Sequence, residues 1–281
     1  MHKKLIYTCL GVVGALGVFG FFLIYPKYTS SQSASVTLYT ATTSANTATS
    51  SNPNNKLHIP IFIYHSVKPD TASETQIQKD YSVTPEMFEQ QLQYLQQNGY
   101  TPITMSEFER EVLSGTTSPI AKPVLLGFDD GWENQYVYAY PLLKKYNMKA
   151  VFYIYTNPIS RDRRFMSWGQ IKELDAAGME IADHTLTHPY LQKLSPEALR
   201  HEILDSKKKL EEELGKPMLH FASPFGYTSP EVVALLKEGG FHTGRTGHPG
   251  TYHSKDDLLT LTGYYTHRDL LDFRWILEHA K

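Results

Sequence analysis

One cysteine, Cys9, stands in 281 residues. A disulfide within the chain is therefore excluded, as is any metal site built on cysteine pairs. An excess of either charge is lacking too: 27 Lys and Arg face 29 Asp and Glu, with no long basic run. Such a chain has no electrostatic footprint for nucleic acid, and no nucleic-acid partner is expected. Two N-terminal stretches lack charge altogether. The first, "LIYTCLGVVGALGVFGFFLIY" at 5–25, is about 20 residues long, which matches the hydrocarbon core of a bilayer. With Lys3 and Lys4 before it, it is expected to be an uncleaved single-pass anchor in the cell membrane that leaves the remainder extracellular. The alternative is a cleaved signal peptide and a secreted chain. The second, residues 29–55, is built from Ser, Thr, Ala and Asn and cannot bury enough apolar surface to fold. The expected division is a cytoplasmic stub and anchor over 1–28, a disordered linker over 29–56, and a folded domain over 57–281.

From residue 57 short apolar runs alternate with amphipathic ones. Strands are expected at "IPIFIY" (59–64), "PVLLGF" (123–128), "AVFYIY" (150–155), "MEIA" (179–182), "LHFA" (219–222), "FHTG" (241–244) and "LLTLT" (258–262). Thr84-Pro85-Glu86, Ser195-Pro196-Glu197 and Ser229-Pro230-Glu231 each open a helix, with a capping hydroxyl, a Pro in the first turn and an early acid. This alternation predicts an α/β fold of parallel strands with helices outside. Seven or so repeats favour a closed or nearly closed barrel over an open sheet, which stays the alternative. In such a barrel the chemistry gathers at the C-terminal strand ends. Those ends carry His65, Asp129-Asp130, Asp183-His184 and Ser223-Pro224-Phe225.

Two aspartates side by side after a buried strand need a reason. His184 and His188, spaced i and i+4, would share one face of a helical turn and reach a single ion. Asp130 could add an oxygen ligand, completing a two-His, one-carboxylate set that suits Zn²⁺, with Co²⁺, Ni²⁺ or Mn²⁺ also accommodated. Asp129 would then accept a proton from water at the ion, and the cation would keep it ionised. The plainer alternatives are a pair of surface histidines and an Asp-Asp-Gly turn or helix cap.

With these residues in place, the sequence resembles the polysaccharide deacetylase family, also called the NodB-homology domain or carbohydrate esterase family 4. "FDDG" (128–131) matches its first motif and "HTLTH" (184–188) its His-Ser/Thr-x-x-His motif; "YNMKAVFYI" and "MSWGQIKELDAAGMEIADH" are similar at their expected places. The resemblance spans about 57–280. It implies a distorted (β/α) TIM-like barrel and a divalent metal, usually zinc, on Asp130, His184 and His188, with Asp129 as base and the Phe225 backbone N–H as an oxyanion donor. The implied activity is removal of acetyl groups from N-acetylglucosamine units of an extracellular or cell-wall polymer, peptidoglycan or poly-N-acetylglucosamine. The alternatives are a non-catalytic carbohydrate-binding domain, and an O-deacetylase of xylan-like polymers. Two departures stand out. "FASPFG" (221–226) lacks the third motif's arginine and has Phe for Tyr. "LTLTG" (259–263) puts Gly263 where the catalytic-acid histidine falls. "IPIFIYHSV" (59–67) and the altered third motif look more like the branch that deacetylates poly-N-acetylglucosamine of biofilm matrices. His65, His248, His253 and His267 are the substitutes considered for the acid, and His65 is expected to line the pocket.

Overall fold

The computed structural model describes residues 56–115, 119–266 and 268–280. Eight strands form one all-parallel sheet: β1 Ile61–Tyr64, β2 Thr101–Ile103, β3 Pro123–Phe128, β4 Val151–Ile154, β5 Glu180–Asp183, β6 His220–Ala222, β7 Thr243–Arg245 and β8 Tyr264–Tyr265. Their spatial order is β7-β6-β5-β4-β3-β1-β8, with β2 off this path beside β3. Leu125 of β3 faces Ile61 of β1 on one side and Ile103 of β2 on the other. Two residues on, β4 takes over from β2 along Gly127 and Phe128. The sheet curls until its edges are spanned by one short stretch: Leu261 bridges Arg245 of β7, and Tyr264 pairs with Phe62 of β1. The fold is α/β with a curled, parallel half-barrel sheet.

Side chains alternate across this sheet, as the pleat requires. Phe62, Tyr64, Leu126, Phe128, Phe152 and Ile154 pack outward into the larger core, against residues such as Phe88 and Leu92. Ile61, Leu125, Val151, Tyr153, Ala182 and Ala222 form a smaller cluster on the opposite face. The three expected helix starts are present: Thr84, Ser195 and Ser229 cap Pro85–Gln97, Pro196–Arg200 and Pro230–Glu238, each accepting a backbone N–H on its hydroxyl.

Two strand expectations change. The 258–262 run supplies only the Leu261 bridge, and the eighth strand lies just beyond it. Strand β2 was not expected, because Pro102 interrupts its pattern. It forms because β2 pairs with β3 alone, and an edge position tolerates a residue without an N–H.

The expected anchor (5–25) and linker (29–55) lie outside the described residues, as does His267. Among the described residues no helix is long and apolar enough to cross a membrane. The single-pass placement with an extracellular domain is therefore corrected. The longest described helical run, residues 196–214, is rich in Lys and Glu, and no described element supplies the apolar span of about 20 residues that the placement needs.

Candidate active site

The functional side chains gather where β1, β3, β5, β6 and β7 end. Asp129 and Asp130 directly follow β3 and are both buried. Asp129 donates its backbone N–H to the Tyr64 carbonyl at 2.8 Å, which fixes the turn against β1. The chain then reverses through Asp130 and Gly131 at φ 78° and 80°. A Cβ at Gly131 would lie 3.1 Å from Ile154 Cδ1, so both conformation and space favour glycine there. Trp132, just after the turn, donates its indole N–H to Asp130 Oδ2 at 2.8 Å and leaves Oδ1 free.

His184 follows β5. Its Nδ1 lies 2.7 Å from the Ala222 carbonyl of β6. A carbonyl can only accept, so the ring proton sits on Nδ1 and the Nε2 lone pair faces the site. Burial pushes this imidazole down to about 4, against the pull of Asp129, so it is neutral at neutral pH. His188 arrives by a different route from the one its spacing suggested. Residues 184–188 form no helix. They make a turn with Thr185 at φ 71° and His188 at φ 60°, held by His188 N–H to Thr185 Oγ1 at 3.1 Å. Glu202 clamps the same turn, accepting from Thr187 N–H at 2.8 Å and Thr187 Oγ1 at 2.6 Å. Asp183 supports it from below, its Oδ1 taking the Thr185 N–H and the Ser206 hydroxyl.

Asp130, His184 and His188 thus present three ligand atoms within 4.8 Å of one another. Asp130 Oδ1 lies 3.7 Å from His184 Nε2 and 3.4 Å from His188 Nε2. Those gaps are long for hydrogen bonds. They are close to the separation of about 3.3 Å between ligands of a tetrahedral ion with bonds of about 2.0–2.1 Å. With one nitrogen of His184 already committed to a carbonyl, the donor set fits a divalent cation, and the fit does not select one metal.

Asp129 has a different partner, one that the sequence reading missed. Arg245, the last residue of β7, places Nη2 2.5 Å from Asp129 Oδ1, and both side chains are buried. Burial alone would raise the Asp129 carboxyl. The charge of Arg245 outweighs it, helped by His184 and His65, and holds the carboxyl below its ordinary value. Arg245 pairs in register with Ala222, so it stands beside the "FASPFG" stretch. The guanidinium missing from that stretch is supplied by the neighbouring strand. A signal existed: a lone arginine ending a strand run, overlooked because the expected strand stopped at Gly244.

Phe225 follows β6 at φ 57°. Its ring contacts His188 at 4.6 Å, and its N–H has no acceptor among the described residues. Of the seven non-glycine residues with positive φ among the described residues, four (Asp130, Thr185, His188 and Phe225) lie here, a concentration of strain typical of functional sites. His65 lines a cavity of about 560 Å³ together with Asp130, Trp132 and Tyr81. His253 does not approach the site. It is buried, pushed down to about 4 by that burial, and bonded to the Ile59 carbonyl. His248 is exposed. Gly263 backs onto β1, where a Cβ would meet the Ile61 carbonyl oxygen at 3.0 Å.

Residues 116–244 match the family described as polysaccharide deacetylase. The chain is 31% identical over 203 residues to a putative polysaccharide deacetylase, YxkH, of Bacillus subtilis, covering 72% of this chain and 69% of that protein. It is 27% identical over 179 residues to the poly-beta-1,6-N-acetyl-D-glucosamine N-deacetylase of Staphylococcus aureus, covering 59% of this chain and 61% of that one. Among solved structures, the Streptococcus pyogenes deacetylase PplD in complex with acetate superposes with a TM-score of 0.72 at 30% identity, over 76% of this chain and 95% of that one.

Proposed function

The chain belongs to the polysaccharide deacetylase family, and we propose that it hydrolyses the N-acetyl amide of N-acetylglucosamine units in a polysaccharide, releasing acetate and leaving a free amine. The observation that carries this reading is the division of labour between adjacent carboxylates. Asp130 faces two imidazoles across cation-sized gaps, while Asp129 is held ionised by a buried arginine. A site meant only to bind sugar has little use for that arrangement. The third-motif arginine that "FASPFG" lacks has a counterpart in Arg245, which weakens the case for a binding-only domain.

Asp130, His184 and His188 would hold the metal. When bound, a divalent cation polarises the acetyl carbonyl and acidifies the attacking water. Asp129, kept deprotonated by Arg245, accepts the proton of that water as it adds to the carbonyl carbon. The Phe225 N–H, with no acceptor among the described residues, would donate to the oxyanion that develops. His65, the imidazole in the same cavity as Asp130, would give a proton to the nitrogen as the C–N bond breaks, and the proton that Asp129 took from the water would replace it. Substrate candidates are peptidoglycan and β-1,6-linked poly-N-acetylglucosamine, the polymers named in relatives of this chain. The test is product analysis on oligomers of each linkage: equal amounts of acetate and new amine support the reading, and intact oligomers count against it.

A further inference from the structure

The segment between β1 and the helix Pro85–Gln97 forms one wall of the Asp130 cavity. It is tied by a short parallel pairing of Ser66–Val67 with Ser82–Val83 and carries a small helix, Gln76–Asp80. Tyr81 follows that helix and is 55% exposed. Among the described residues its hydroxyl has no hydrogen-bond partner, and its aromatic contact is an edge-on one to His65 at 5.3 Å and 77°. Its backbone is nonetheless held on both sides. Arg268 Nε donates to the carbonyls of Lys79 and Ser82 at 2.7 and 2.8 Å, and Arg268 Nη1 reaches both oxygens of Asp70. A bare aromatic ring is thus presented on a fastened loop. It lines the cavity of about 560 Å³ and a second of about 270 Å³ bounded by Tyr265.

We propose that Tyr81 stacks on the pyranose ring next to the one that loses its acetyl group, so that the chain selects runs of polymer over single sugars. The inference rests on the reading of function given above. A β-linked amino sugar with equatorial substituents offers a flat C–H face that gains by leaving water for an aromatic ring, while its hydroxyl rim stays solvated. The two cavities meet at the His65–Tyr81 pair, which gives consecutive units adjoining places. Near-perpendicular packing against His65 leaves at least one ring face of Tyr81 without an aromatic neighbour among the described residues. Fastening by Arg268 lowers the ordering cost of binding.

The experiment compares the full chain with its Tyr81→Ala and Tyr81→Trp variants on N-acetylglucosamine dimers and pentamers, after equal melting temperatures establish equal folding. Tyr81→Ala should raise KM for the pentamer about tenfold, roughly the loss of one stacking contact. kcat should change much less, the advantage of pentamer over dimer should shrink, and Tyr81→Trp should restore it. An unchanged pentamer KM, or equal losses on dimer and pentamer, overturns the proposal. Calorimetric titration of the same oligomers separates it from the reading of function. Binding that depends on Tyr81 without acetate release overturns the deacetylase alone, and no binding by the unaltered chain overturns both.

Discussion

Arg245 reaches across from β7 to Asp129 at the end of β3, 2.5 Å apart, with both groups out of water. The pair explains how a carboxylate can sit ionised in a buried place before any cation arrives. It also sets the pH dependence. Because the folded carboxyl titrates below its unfolded value of about 3.9, the pair's contribution to stability is complete above that pH. It is lost as pH falls through the lower, folded value. Arg245→Gln removes the opposing charge and leaves burial to push the Asp129 carboxyl up. The variant should lose about 3–5 kcal/mol of stability, and the acid limb of kcat/KM should move to higher pH. Denaturant unfolding and a pH–rate profile read the two effects; an unmoved acid limb would remove Arg245 from its role.

Asp129→Asn keeps the shape of the turn but not the base. Turnover should fall by about 10²–10⁴ while the purified chain retains its metal. Metal content by elemental analysis, beside acetate release, checks both halves of that statement. Near-normal turnover would hand the base role to another residue.

Asp130→Ala, His184→Ala and His188→Ala each delete one of three donors. Each should abolish stoichiometric metal, again by elemental analysis. His184→Ala carries the further expectation of lower stability, since it also leaves the Ala222 carbonyl without its donor. Retained metal in any one of them would exclude that residue from the ligand set.

Much of this site was legible in the sequence. Asp129, Asp130 and His184 were expected at strand ends and His188 one turn further on, and the structure brings Asp130, His184 and His188 together beside Asp129. What escaped was what no spacing encodes. His188 reaches its place through left-handed Thr185 and His188, not through a helical turn, because Glu202 and Asp183 fix the turn from outside the motif. Arg245 is 116 residues from Asp129 and meets it only because the sheet curls, bringing the end of β7 back to the end of β3, four places along the strand order. Strand β2 and the Leu261 bridge were lost to local pattern for a similar reason: their pairing partners decide them, not their own residues.

Gly263 is where the family's fifth motif places a histidine, and restoring a side chain there should not help. A Cβ would press on the Ile61 carbonyl, so Gly263→Ala should cost about 1–3 kcal/mol by overpacking, and Gly263→His at least as much. Thermal melts measure the cost. A stable Gly263→His variant with raised turnover would show that the family's acid position is usable here, and would take that role from His65.

Residues 57–281 hold every contact of the site described, and we expect deletion of 1–56 to leave a soluble, cooperatively folding domain. An insoluble product, or loss of a cooperative melt, would mean that the boundary lies elsewhere.

The most direct test of the account is acetate release by the chain from β-1,6- and β-1,4-linked N-acetylglucosamine oligomers and from peptidoglycan, with zinc or cobalt supplied, then chelated, then restored. The account predicts release from at least one of them that stops on chelation and returns with metal. Release indifferent to chelation would contradict the metal centre, and no release from any of them, with metal still bound, would contradict the deacetylase.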